Sequence, residues 1–182
     1  MATQTLLTYE QYRDLPELEG VNRELDEGRV IEIPHASFLH GAVQFMAAHL
    51  LKAHLEETGA DFCISQNTSF LLAPDIERAP DVCLLRRSAL ETMYKVRGVL
   101  RGCPDLVVEV ISESDSASDV DRKIEQYLRA GAIAVWALYP QTRHVLHRRQ
   151  SGETSLLTSG QFLEEPELFP GLKILVDRIF AV

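Results

Sequence analysis

The chain has 182 residues, 46% of them apolar and 25% charged, and a formal net charge of −9. A chain of this length buries roughly two thirds of its unfolded surface, so one domain spanning residues 1–182 is expected, without disulfide or metal staples. The composition excludes disordered, fibrous and membrane classes, and the acidic balance argues against a broad basic surface for nucleic acid.

Cys63, Cys83 and Cys103 are odd in number and widely spaced, without a C-x-x-C pair, and read as reduced core thiols. No basic n-region of the signal-peptide kind precedes an apolar segment, and no run approaches the ~18 apolar residues of a spanning helix. No membrane partner is expected, and the chain reads as cytoplasmic.

In chain order, a short helix is expected over 8–15. Residues 22–25 and 29–33 flank the turn-forming Asp26-Glu27-Gly28 and predict a hairpin. From 37 or 40 to 57, Val43, Ala47, Leu50 and Leu51 recur at helical spacing, and Thr58-Gly59 supplies a stop. Strands are predicted at 62–65, 68–72 and 81–85, broken by Pro74-Asp75 and opened by Pro80. The run 86–101 carries Arg86, Arg87, Lys95, Arg97 and Arg101 against Glu91, which is +4 locally and −13 for the rest. It reads first as a solvated face and second as a local phosphate-binding edge. A central strand at 106–111 passes through a polar loop into a helix over 119–130, with Ser118 and Asp121 in capping-box form and Gly131 as the stop. Further strands are predicted at 134–139, 145–148, 155–158 and 172–176. Strand, helix, strand over 106–139 is a crossover unit whose two strands run parallel, whereas the earlier strands are hairpin-connected. The fold class is therefore α/β in the wide sense, a mixed α+β sheet flanked by helices.

One carboxylate, Glu109, interrupts the apolar run from Leu106 to Ile111. An ionised side chain in a buried strand costs several kcal/mol unless it is paired or binds a cation. Asp105 lies four residues earlier on the same strand, ~13 Å away, too far to share an ion with Glu109. Asp81 opens a different strand; if the two strands are neighbours, their backbones lie ~4.8 Å apart, and two such carboxylates invite a divalent cation. On the helix that follows, Val120, Ile124, Tyr127 and Leu128 form the buried stripe, and Lys123 stands at its margin, able to reach back toward the sheet. The plainer alternative is a surface ion pair between Asp119 and Lys123.

Other candidates carry less. His40 and His54 are separated by ~21 Å along one helix and cannot share a metal. His144 and His147, three apart on a strand, face opposite ways. Ser114 and Ser116 lack a nucleophile-elbow sequence, and no Gly-rich phosphate loop is present.

Taken together, the residues resemble the Uma2 family. The resemblance rests on Arg78-Ala79-Pro80-Asp81-Val82, on Pro104-Asp105 leading to Glu109, Val110 and Ser112, on Asp119, Lys123, Tyr127 and Gly131 at intervals of four, and on Trp136. It extends to Leu7-Thr8-Tyr9-Glu10, to Glu24-Leu25 with Gly28, to His40 and to Pro170-Gly171-Leu172. The sequence departs from the family pattern at Val135, beside Trp136, and at Tyr139, before Pro140. The resemblance implies a restriction-endonuclease-like core of the PD-(D/E)xK type and a metal-dependent endonuclease acting on nucleic acid, with DNA the expected substrate. Asp81 and Glu109 would hold Mg²⁺ or Mn²⁺, with the Val110 carbonyl as a further ligand. Lys123 would replace the strand lysine that Ile111 displaces, and Glu24 and His40 would line the same cleft. Homodimerisation is expected because related nucleases pair to cut two strands. The alternative is a catalytically silent nuclease-fold module that binds nucleic acid or protein.

Overall fold

A computed structural model describes residues 6–16, 18–93, 95, 96 and 98–182; Arg97 of the basic run lies outside the described residues. In chain order its elements are α1 (Tyr9–Arg13), β1 (Asn22–Asp26), β2 (Arg29–Ile33), α2 (Phe38–Thr58), β3 (Phe62–Ser65), β4 (Phe70–Ala73), β5 (Ile76–Arg78) and β6 (Val82–Arg86). There follow α3 (Arg87–Thr92), β7 (Lys95–Val96), β8 (Val99–Arg101), β9 (Leu106–Val110), α4 (Ala117–Ala130), β10 (Ala134–Tyr139), β11 (His144–Arg149), β12 (Thr154–Leu157), β13 (Phe162–Leu163), β14 (Ile174–Leu175) and α5 (Val176–Ile179).

The expected mixed sheet is present. Among the described residues it has six strands in the order β12-β11-β10-β9-β6-β3, with β9 and β10 parallel and α4 as their crossover. Every residue of β9 is buried, so the strand carries no solvent face and reads as a continuous apolar run broken only by Glu109. Its alternation divides the interior in two. Leu106, Val108 and Val110 pack with Val43, Ala47 and Leu51 of α2 and with Phe169 and Ile179 near the C-terminus. Val107 and Ile111 face the other way, onto Val120, Ile124, Tyr127 and Leu128 of α4. Two-residue periodicity puts Glu109 on that second face, beneath α4.

A second six-stranded sheet, ordered β2-β1-β5-β4-β8-β7, stands beside the first. Its hairpin turns at Glu27 and Gly28, whose φ values of 50° and 79° make the two-residue turn that matches strand twist. Asp26 is consequently a strand residue, buried, and not part of the turn. The three residues of β5 went unpredicted because the flanking prolines read as breaks and the strand is too short to show a period. Helix α4 begins two residues earlier than its capping-box reading: Ser116, not Ser118, is the N-cap and accepts the Asp119 amide at 3.2 Å. Gly131 ends the helix at φ 114°, as expected from a glycine stop. The strand expected at 172–176 is shorter, as β14, and gives way to α5.

Candidate active site

Five parts of the fold meet at one place: β1, the residue before β6, β9, the start of α2 and α4. The antiparallel register Val82↔Val108 between β6 and β9 sets Asp81 opposite Glu109, the neighbour relation that the two carboxylates require. Asp81 Oδ2 accepts the Val110 amide at 2.7 Å, and Oδ1 lies 2.9 Å from His40 Nε2 in the first turn of α2. Gln44, one turn further along α2, donates to the Asp81 carbonyl at 2.8 Å. The helix thus grips Asp81 by side chain and by backbone.

Glu109, 5% exposed, is held from α4. Tyr127 donates to Oε1 at 2.7 Å and the Lys123 ammonium to Oε2 at 3.1 Å. Lys123 also stands 3.5 Å from Glu24 Oε1 on β1, so the second sheet supplies part of the same cluster. The surface pair of Asp119 with Lys123 does not form; Asp119 pairs with Arg122 instead. Asp105 accepts the Arg86 amide and pairs with its guanidinium, away from Glu109. Ser112 bonds Asp115 and Ser114 in the loop before α4, a loop-start role.

Burial pushes the Glu109 carboxyl up to about 7; Lys123 pulls it back, Asp81 and Glu24 raise it further, and the Tyr127 hydrogen bond lowers it. Burial works against the Lys123 charge, but Glu109 and Glu24 outweigh it and hold its pKa above the ordinary lysine value. For Glu24 the order is similar: burial raises its pKa, and Lys123 with Arg78 overcomes that and leaves it below the usual carboxylate range. The hydrogen bond to Asp81 lifts His40 above its ordinary value, opposed by burial. Burial, then the charge of Glu109, keeps the Tyr127 phenol well above its normal pKa, so it remains a donor.

The donor chemistry suits a hard divalent cation. Each carboxylate accepts two hydrogen bonds and has lone pairs left for a metal. Among the described residues no three His, Cys, Asp or Glu side chains form a metal cage. A site of two carboxylates completed by water and substrate phosphate is the arrangement Mg²⁺ favours.

Sequence reasoning missed the residues that support Glu24. Arg78 of β5, 5% exposed, donates to Glu24 Oε2 at 2.8 Å, meets Asp26 Oδ1 at 2.6 Å, and reaches Gln126 Oε1 from Nε and Nη2 at 2.9 and 2.7 Å. Gln126 donates to Asp26 at 2.7 Å and Arg122 to its other oxygen at 3.0 Å. The only signals were Arg78 in the stretch before Asp81 and polar Gln126 beside the apolar stripe of α4. Two members of the basic run are paired, Arg86 with Asp105 and Arg87 with Asp61.

A mixed sheet crossed by α4, with aspartate, glutamate and lysine gathered under that helix, is the design of restriction-endonuclease-like proteins. The chain belongs to the Uma2 family, described as "Putative restriction endonuclease", whose model matches residues 9–177. A solved structure from Anabaena variabilis ATCC 29413, described as a "putative nuclease belonging to DUF820", is similar with a TM-score of 0.82 over 96% of this chain and 98% of that one. At 20% identity this likeness concerns the fold alone. No curated protein matches the chain. Among the described residues no helix is long and apolar enough to cross a membrane.

Proposed function

We propose that the protein is a metal-dependent endonuclease that hydrolyses phosphodiester bonds of nucleic acid, with DNA as the expected substrate. The observation that carries this reading is the convergence of Asp81, Glu109 and Lys123, from two strands and a crossover helix, on one partly buried spot. Asp81 and Glu109 would hold the cation, with the Val110 carbonyl as a third oxygen. Mg²⁺ or Mn²⁺ bound there supplies Lewis acidity toward a phosphoryl oxygen and lowers the pKa of water. Tyr127 fixes one oxygen of Glu109, and His40 with the Val110 amide fixes the Asp81 carboxylate, so neither ligand must reorganise. Lys123 keeps a positive charge beside the reacting phosphate, where negative charge develops. Glu24 borders the same cleft and takes part in placing that lysine. A single domain, residence in the cytoplasm and a homodimer belong to this reading; solution mass tests the dimer.

The test is cleavage of plasmid, single-stranded DNA and RNA in Mg²⁺ or Mn²⁺ by the wild type and by Asp81→Ala, Glu109→Ala and Lys123→Ala. Activity in the wild type and loss in all three folded variants is the expected result. A wild type that cleaves nothing counts against the reading. The net charge of −9 and the pairing of Arg86 and Arg87 favour a second reading, a silent nuclease-fold binding module. Stable complexes without turnover would support it.

A further inference from the structure

Arg78 is not among the residues that the proposed chemistry touches, yet its guanidinium is fully engaged inside the protein. The register Leu25↔Glu77 between β1 and β5 sets Arg78 directly opposite Glu24, so one cross-strand pair joins them. Its Nη1 bonds Glu24, its Nη2 bonds Asp26 and Gln126, and its Nε bonds Gln126 again. The Ala79 amide holds the remaining Glu24 oxygen at 3.0 Å, the same oxygen that faces Lys123.

Lys123 therefore stands between two carboxylates that compete for it, Glu109 at 3.1 Å and Glu24 at 3.5 Å. The buried cluster sets Glu24, Asp26 and Glu109 against Arg78, Lys123 and the part-exposed Arg122. Without Arg78, the charged partners of Glu24 and Asp26 among the described residues would be Lys123 and Arg122, with the Ala79 amide and Gln126 as neutral donors. A desolvated carboxylate left with a deficit of charge attracts the nearest ammonium, and that ammonium is Lys123.

We propose that Arg78 is a positioning residue: by neutralising and fixing Glu24, it leaves the Lys123 ammonium to Glu109 and to the reacting phosphate. The role of Lys123 in this statement rests on the nuclease reading; the placement of its ammonium does not. A guanidinium is needed because its planar fork serves Glu24 and Asp26 at once, whereas a lysine at this position is a single point charge that satisfies them unequally.

The chain has four lysines, Lys52, Lys95, Lys123 and Lys173, so ¹⁵N-lysine labelling gives a spectrum in which the Lys123 ammonium is assigned by its loss in Lys123→Met. In Arg78→Lys, which adds a fifth lysine and is assigned against the double variant Arg78→Lys, Lys123→Met, that resonance moves. In the double variant Arg78→Lys, Glu24→Gln it returns to its position in Glu24→Gln alone, because the charge that captured Lys123 is gone. Cleavage by Arg78→Lys falls about ten- to a hundredfold in kcat with little change in KM, the usual cost of losing an outer-shell partner. If Arg78→Lys fails to fold, the charge-balanced pair Arg78→Gln, Asp26→Asn carries the same expected displacement. An unmoved Lys123 resonance overturns the proposal, as does a displacement that is the same with and without the Glu24 charge. A wild type without nuclease activity refutes the reading of the site, while the resonance still decides what Arg78 does.

Discussion

Lys123→Met removes the ammonium that faces Glu109 while keeping most of the side chain's length. In the folded protein burial pushes the Glu109 carboxyl up to about 7, from an ordinary value of 4.5. Between those values the folded state holds more protons than the unfolded chain, so stability falls with rising pH across that window and levels off above the folded value. At about 1.4 kcal/mol per pH unit, the span from 4.5 to about 7 is worth about 3 kcal/mol. Lys123 is the strongest influence lowering the Glu109 pKa, and without it the titration moves above 7. The decline then continues, and the variant loses about 1.4 kcal/mol more per pH unit than the wild type above pH ~7 until its own Glu109 ionises. The raised pKa of Lys123 contributes stability that is lost only above the ordinary lysine value, outside this window. Glu24 loses Lys123 too, but equally in the variant and in the double variant Lys123→Met, Glu109→Gln, and groups out of reach of Lys123 cancel to first order in the difference. The assay is urea unfolding followed by far-UV circular dichroism at several pH values between about 6 and 9, at constant salt. Lys123→Met, Glu109→Gln serves as the reference and should lack the extra slope. Parallel curves for wild type and Lys123→Met, or the same extra slope in the reference, would refute the reasoning.

Three further outcomes are expected. Ser116→Ala lowers stability by about 1 kcal/mol through loss of the α4 cap, whereas Ser118→Ala changes it by less than about 0.5 kcal/mol, and urea midpoints with unchanged m values separate them. Glu165, 0% exposed, lies 2.7 Å from buried His147 and 3.3 Å from Arg149. Glu165→Leu leaves buried His147 without its partner, while Arg149 keeps Glu153 and the Glu164 carbonyl, and costs about 1–3 kcal/mol in urea unfolding; a loss under about 0.5 kcal/mol would show that the cluster does not hold these strands together. Asp81→Asn keeps the size of the side chain and removes its charge, so titration calorimetry with Mn²⁺ should lose its binding heat. Unchanged heat would remove Asp81 from the ligand set.

Much of the mixed sheet was legible because its elements are long enough to show a period. The crossover from β9 through α4 to β10 has a buried run, a polar loop, an amphipathic helix and a glycine stop, each with its own local chemistry. Glu109 and Lys123 stood out because they break those patterns, one inside a buried strand and the other at the edge of an apolar stripe. Arg78 and Asp26 did not. A charged residue in a three-residue strand, or beside a turn, looks like any solvated residue until the opposing strand and helix are in place. The second sheet is hard to foresee for the same reason: β5, β7 and β8 hold two or three residues each and owe their existence to partners, not to propensity. The position of Asp81 opposite Glu109 needed a strand pairing that no local pattern encodes.

Helix α4 supplies both Lys123 and Tyr127, and their partners Glu24 and Glu109 both precede it in the chain. A polypeptide still emerging from the ribosome thus carries Glu109 before it possesses the ammonium and the phenol that hold that carboxylate in order. The late arrival of one helix leaves a buried-strand carboxylate without its partners until the crossover closes.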